Sequence, residues 1–185
     1  MDGVGEPGRG IYWISGLMAA GKSTVADLLA RRFRRGVHVR GDAFRRMIVA
    51  GQVQMVRGAP PEAEAQLRLR YELAGAAADR YFESGFSVVV QDVVLGEHLA
   101  LLPELVRGRP LYVVVLAPRP EIIEARETGR PKDGYGAWRA DELDALLRRN
   151  TPRLGLWIDS SNQTAVETVD EIVRRAASEA DVRTP

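Results

Sequence analysis

The feature that most constrains the fold of this chain is the segment Gly-Leu-Met-Ala-Ala-Gly-Lys-Ser at residues 16–23, which matches the pattern GxxxxGK followed by Ser or Thr. A short, mostly apolar and β-prone segment at residues 11–15 precedes it, and apolar residues follow at helical spacing, including Val25, Leu28 and Leu29. A strand that leads through a glycine-rich turn into a helix directs backbone N–H groups and the positive end of the helix dipole at phosphate oxygens. The segment is therefore predicted to be a phosphate-binding loop, or P-loop, rather than an incidental glycine-rich turn.

The P-loop supplies most of the predicted nucleotide site. Its predicted nucleotide-binding residues are Gly16, Leu17, Met18, Ala19, Ala20, Gly21, Lys22, Ser23 and Thr24. Lys22 offers a cation to the β- and γ-phosphates and is also a candidate catalytic residue, while the Ser23 hydroxyl is a candidate ligand of Mg²⁺. The segment therefore predicts that a nucleotide binds together with magnesium.

Chain length and composition limit the class of phosphate-binding protein. A chain of 185 residues suffices for one α/β domain, whereas motor, helicase and transporter ATPases normally need more. Apolar residues make up 45% of the chain and charged residues 28%, with no cysteine and a net charge of +1, so we expect a globular chain without disulfides or a field that attracts nucleic acid. With no signal-peptide pattern and no membrane-spanning run, we predict a soluble cytoplasmic protein with neither nucleic-acid nor membrane partners.

Five apolar runs predict five strands. They lie at residues 11–15, 37–40, 86–91, 111–116 and 154–158. Near-continuous Val and Ile runs are typical of parallel strands that helices cover on both faces, and helical patterns fill the intervals between the runs. The predicted fold is therefore α/β, a doubly wound five-stranded parallel sheet within a single domain over residues 1–185.

Several predicted helices have recognisable ends. A long apolar-faced helix is expected to stop at Gly85, and a second helical segment is expected to break or restart near Pro103. Pro120 is typical of the first turn of a helix. Thr164 and Glu167 form a capping-box pattern ahead of the last helix.

Two acids follow predicted strands, Asp42 after the second and Asp92 after the third. Because ligands bind at the carboxyl ends of the strands in open α/β sheets, we expect both carboxylates to lie around the γ-phosphate. Asp42 is a candidate catalytic base and substrate-binding residue, and the alternative is that it only caps a helix N-terminus. Asp92 is a candidate substrate-binding residue, with water-mediated binding of Mg²⁺ and a purely structural role as alternatives.

Arginines complete the predicted site. Arg126 and Arg130 lie in a polar, glycine-rich segment typical of a mobile lid, which we place at about residues 126–140. An arginine that closes over the phosphates stabilises the transferring group, so Arg130 is a candidate catalytic residue and Arg126 a candidate nucleotide-binding residue. The alternative is an ordinary solvated pair. Arg45, one turn after Asp42, is a candidate for binding an anionic or polar substrate.

These features resemble the small P-loop kinases, which include shikimate, gluconate and adenylylsulfate kinases and zeta-toxin sugar-nucleotide kinases, and resemble most the chloramphenicol phosphotransferase-like proteins within that group. The resemblance extends from Ile11 to about Ile172 and rests on the P-loop, on Asp42 with its short helix, and on residues 88–96 and 126–130. It implies ATP with Mg²⁺ as the phosphate source and Asp42 as the base for the acceptor hydroxyl. In such proteins the third strand often ends in two acids, whereas here Gln91 precedes Asp92.

The sequence therefore predicts an ATP-dependent phosphotransferase that moves the γ-phosphate to a hydroxyl of a small molecule, such as an antibiotic or a polar metabolite. We expect the acceptor pocket between Phe44 and Tyr81. The alternatives are a nucleotide-dependent switch and an ATPase without a small-molecule acceptor. A GTPase switch would need Asn-Lys-x-Asp after a late strand, whereas the fifth strand is followed by Ser-Ser-Asn-Gln-Thr.

Overall fold

The computed structural model of the chain describes residues 6–56, 58–127 and 140–182. Its strands are β1 (Ile11–Gly16), β2 (Gly36–Arg40), β3 (Ser87–Gln91), β4 (Leu111–Leu116) and β5 (Leu156–Ile158). They form one five-stranded sheet in the order β2-β3-β1-β4-β5, and every pairing is parallel. The predicted α/β fold with a five-stranded parallel sheet is confirmed.

Seven α-helices connect or follow the strands in the described ranges. They are α1 (Lys22–Ala30), α2 (Gly41–Arg46), α3 (Pro61–Glu83), α4 (His98–Leu105), α5 (Pro120–Glu127), α6 (Ala140–Ala145) and α7 (Ala165–Arg175). Short π-helical turns at Leu146–Asn150 and Ala176–Ala180 continue α6 and α7. No helix within the described ranges is both long enough and apolar enough to cross a membrane.

The core consists of two apolar layers, one on each face of the sheet. Trp13 packs with Tyr71 of α3 and Leu102 of α4 on one face. Tyr12, the preceding residue of β1, packs on the other face with the layer that contains Ile172 of α7. Because successive strand residues point to opposite faces, a strand covered on both sides needs apolar residues at nearly every position, as β4 has throughout and β1 has at its first four residues.

Most predicted helix ends are confirmed. Gly85 follows α3 with a φ of 87°, Pro120 is the first residue of α5, and Thr164 accepts the Glu167 N–H in a complete capping box. The predicted break near Pro103 is wrong, because α4 runs through it. The Arg109 Nη2 donates to the Pro103 carbonyl oxygen at 2.7 Å, which stabilises the last turn of α4.

The last strand is shorter than predicted, since β5 begins at Leu156 rather than at residue 154. The Leu154 N–H donates to the Pro152 carbonyl in a turn, and Gly155 has a φ of 71°. A Cβ on Gly155 would lie 2.2 Å from the Val113 carbonyl oxygen, so a glycine is required where the chain enters the sheet.

The strand order places the ends of β2, β3 and β1 side by side at the carboxyl edge of the sheet. The P-loop follows β1, Asp92 follows β3, and Asp42 follows β2. The three segments that carry the predicted site therefore start from neighbouring strands.

Candidate active site

The P-loop has the backbone of an anion-binding turn. It joins β1 to α1, and Gly16, Ala19 and Gly21 have φ values of 140°, 57° and 95°. A Cβ on Gly16 would lie 2.4 Å from the Leu116 carbonyl oxygen, so the close approach of β4 requires glycine there. Turns of this kind, which alternate between left- and right-handed residues, form concavities lined by N–H groups that bind phosphate.

Lys22 is buried at the first position of α1, and its ammonium donates to the Leu17 carbonyl oxygen at 2.7 Å. The cation is therefore held against its own loop. A phosphate oxygen is a stronger partner for an ammonium than a neutral carbonyl, because the hydrogen bond is then charge-assisted on both sides.

Ser23 contacts the end of β3 through Gln91. The Ser23 hydroxyl donates to the Gln91 Oε1 at 3.1 Å, and Gln91 is buried. The strand-end group that faces the P-loop serine is therefore a neutral amide. Both groups offer oxygen atoms, the ligand type that Mg²⁺ prefers, so the pair fits the edge of a magnesium site.

Asp92 faces away from that contact and pairs with Arg70 of α3. Its side chain is 1% exposed, and its Oδ2 accepts from the Arg70 Nε at 2.6 Å while Oδ1 contacts the Arg70 Nη2. The Val93 N–H donates to Oδ1 at 2.7 Å, and a Cβ on Gly41 would lie 2.0 Å from Oδ2. Asp92 therefore links α3 to the end of β3 by an ion pair and packs against the first residue of α2.

Arg70 is the principal residue that the sequence analysis missed. It lies three residues after Leu67 and four before Ala74, on the apolar face of α3. Burial lowers the pKa of its guanidinium, an effect that Arg45 reinforces and Asp42 opposes. A charged residue on an apolar helix face needs a buried partner, and that rule was the available signal for it.

Asp42 is the second residue of α2, and Arg40 occupies the N-cap position. The alternative interpretation of Asp42 as the N-cap is therefore wrong, because the helix starts at Gly41, which packs against Asp92. The Asp42 carboxylate is 45% exposed and pairs with the Arg46 Nη2 at 3.0 Å. Arg45 on the same helix is half-buried and forms no ion pair with any residue in the described ranges.

A cleft of about 240 Å³ opens on the other side of the P-loop. It is lined by Ala19, Ala20, Gly21, Thr24, Val25, Arg126, Ser160, Gln163, Ala165 and Thr168. The Arg126 Nη1 lies 3.5 Å from the Ala20 carbonyl oxygen, so this guanidinium lies against the loop. The Ser160 Oγ is buried and has no hydrogen-bond partner within the described part of the chain, so a polar ligand in the cleft would satisfy it.

Two predictions concern regions away from this geometry. Arg130 and most of the predicted lid, residues 128–139, lie outside the described residues.

The predicted acceptor pocket extends too far, because Tyr81 packs edge-on to Phe86, which precedes β3. The 23-residue α3 is about 34 Å long and reaches from the carboxyl to the amino edge of the sheet, so only its first half adjoins the strand ends.

Several solved structures of small kinases have the same fold, which confirms the resemblance to small P-loop kinases at the level of the fold. A sugar kinase from Janibacter sp. is 18% identical with a TM-score of 0.67, and the match covers 90% of this chain and 93% of that one. The APS kinase of Mycobacterium tuberculosis, in complex with AMPPNP and APS, is 21% identical with a TM-score of 0.66 and coverage of 91% and 96%. Shikimate kinase from Acinetobacter baumannii, in complex with shikimate, is 19% identical with a TM-score of 0.59 and coverage of 93% and 95%.

No curated protein matches the chain in sequence. The finer resemblance to chloramphenicol phosphotransferase-like proteins stays a prediction.

A family model described as an AAA domain matches residues 11–153, from the first strand to just before the last. The chain belongs to this AAA domain family.

Proposed function

We propose that the protein is an ATP-dependent phosphotransferase that moves the γ-phosphate to a hydroxyl group of a small molecule. The observation that carries this proposal is that the P-loop has a different binding surface on each side. The cleft with Arg126 and Ser160 lies on one side, and the charged cluster of Asp42, Arg45 and the Arg70–Asp92 pair lies on the other. An enzyme that joins two substrates at a phosphate needs both surfaces.

The cleft is the proposed site of the nucleoside. Arg126 offers a planar cation, a group suited to packing against a base, and the unsatisfied Ser160 hydroxyl offers a hydrogen bond to it. The P-loop amides and Lys22 then hold the phosphates at the edge of the sheet.

The charged cluster is the proposed acceptor site. Asp42 takes the proton of the acceptor hydroxyl while that oxygen forms a bond to the γ-phosphorus and the bond to the bridging oxygen of ADP breaks. Lys22 stabilises charge on the β- and γ-phosphate oxygens, and Arg130, on the predicted lid, is proposed to add a second cation. Arg45 and the fixed Arg70 orient polar groups of the acceptor.

Magnesium fits the same arrangement. Ser23 would hold it together with the phosphates, and the ion would neutralise phosphate charge during transfer. No cluster of three or more His, Asp or Glu side chains suited to a metal occurs within the described ranges. A magnesium ion bound chiefly through nucleotide phosphates does not need one.

The first test is acceptor-dependent ADP formation. The purified protein should turn over ATP slowly alone and much faster when a suitable hydroxylated metabolite or antibiotic is added. Lys22→Ala should abolish the stimulated rate and weaken ATP binding with little change in melting temperature, because the Lys22 ammonium lies against the P-loop and outside both apolar layers of the core. Stimulated ADP formation by a correctly folded Lys22→Ala variant would contradict the proposal.

A further inference from the structure

The end of β3 presents two polar side chains to different sides of the site. Gln91 accepts from the Ser23 hydroxyl at 3.1 Å, next to the predicted phosphates, whereas Asp92 is enclosed by Arg70, the Val93 N–H and Gly41. A carboxylate at the end of this strand would attract magnesium. Here the carboxylate of Asp92 is already paired with the Arg70 guanidinium.

The Asp92 carboxylate is already paired within the protein. Both of its oxygens contact the Arg70 guanidinium, and its side chain is 1% exposed. If Asp92 bound a metal instead, Arg70, which is only 14% exposed, would lose its buried partner. An unpaired charge in a buried site is costly. Asp92 is therefore a fixed structural anion in this chain.

We propose that Gln91 is the strand-end group of the magnesium–nucleotide site, in the place where a carboxylate would add a negative charge. This inference rests on the proposed function. The site then consists of the nucleotide phosphates, the Ser23 hydroxyl and a neutral amide oxygen, so the divalent cation is held mainly by the nucleotide. Because no strand-end carboxylate faces the phosphates, the protein tolerates metal-free nucleotide better than a site with an acid at position 91.

The test measures how strongly nucleotide affinity depends on the metal. Calorimetry gives the Kd of AMPPNP with Mg²⁺ and with EDTA, and the ratio of the second to the first is the metal dependence. Gln91→Glu keeps the side-chain length and the ability to accept from Ser23 but adds one negative charge. We expect it to raise the metal dependence at least about tenfold, by weakening metal-free binding through repulsion while Mg²⁺-dependent binding is kept or strengthened.

Two controls separate this local effect from general charge. Gln52→Glu adds the same charge on an exposed residue of the loop after α2, outside the Ser23 contact, and should leave the ratio unchanged within about twofold. Asp92→Asn should also leave the ratio unchanged, and the Gln91→Glu result decides the matter if Asp92→Asn fails to fold.

An unchanged ratio in a folded Gln91→Glu variant would overturn the inference while the proposed function stands. A fall in the ratio of more than about twofold for a folded Asp92→Asn variant would overturn it as well, because Asp92 would then act on the metal. Failure of the wild-type protein to bind AMPPNP with Mg²⁺ would instead overturn the proposed function, and this inference with it.

Discussion

Asp42 and Asp92 lie close together at the strand ends but are held by different kinds of ion pair. The Asp42–Arg46 pair is 45% and 63% exposed, whereas the Asp92–Arg70 pair is 1% and 14% exposed. Exposed pairs contribute about 0–1 kcal/mol, so the Asp42 carboxylate can exchange Arg46 for an acceptor hydroxyl at little cost. Of the two acids, Asp42 is the one suited to chemistry.

Asp42→Asn tests that role because it removes the charge and keeps the shape. As a base, Asp42 contributes about 10²-fold or more, so we expect kcat to fall by that factor with similar ATP affinity and a similar melting temperature. Steady-state kinetics at saturating acceptor make the comparison.

Arg46→Ala is the matched control, because it removes the partner of Asp42 while leaving the proposed base in place. It should keep kcat within a few-fold of the wild-type value. A decrease of less than about fivefold for Asp42→Asn would mean that positioning by the P-loop, and not proton transfer, carries the reaction.

At the scale of elements, α3 is joined to the sheet through a polar contact set in an apolar face. Its residues Tyr71, Ala74 and Ala78 are buried in the core, and Arg70 beside them reaches Asp92. The Tyr71 hydroxyl also donates to the Val93 carbonyl at 2.7 Å, so two neighbouring side chains of α3 fix the segment that follows β3. These contacts position the proposed acceptor side of the site.

Arg70→Met should therefore destabilise the protein by about 3–5 kcal/mol, since it leaves Asp92 buried without a counter-ion. Arg68→Met is a matched control on the same helix, because Arg68 pairs with Glu72 on the exposed face. The control should change the free energy of unfolding by about 1 kcal/mol or less. Urea unfolding of both variants gives the comparison. Equal losses of unfolding free energy would show that the buried Asp92–Arg70 pair contributes no more to stability than the exposed pair.

The elements that the sequence predicted well are those set by local patterns. The apolar runs of β1 and β4, the P-loop with its flanking strand and helix, and the Thr164–Glu167 capping box each follow from neighbouring residues alone. The elements that it predicted poorly depend on contacts distant in sequence. The start of β5 depends on Gly155 packing against Val113, and the role of Arg70 depends on Asp92, 22 residues later.

At the scale of the whole molecule, the strand order separates the two surfaces that we propose for the nucleotide and the acceptor. Strands β4 and β5 lie on one side of β1, next to the cleft with Ser160, and β3 and β2 lie on the other side, next to Asp92 and Asp42. The P-loop, which follows the central strand, therefore lies between the two surfaces. Transfer of a phosphate between two bound molecules requires this arrangement.

The central claim is that the γ-phosphoryl group of ATP passes to a hydroxyl of a small molecule and not to water. The most direct measurement uses ATP labelled with ¹⁸O in the γ-phosphate and a panel of hydroxylated metabolites and antibiotics, with mass spectrometry of every product. The account predicts a labelled phosphate monoester that forms with the wild-type protein and is lost with Lys22→Ala. Label found only in inorganic phosphate, at a rate that no hydroxyl compound changes, would contradict the account and identify an ATPase.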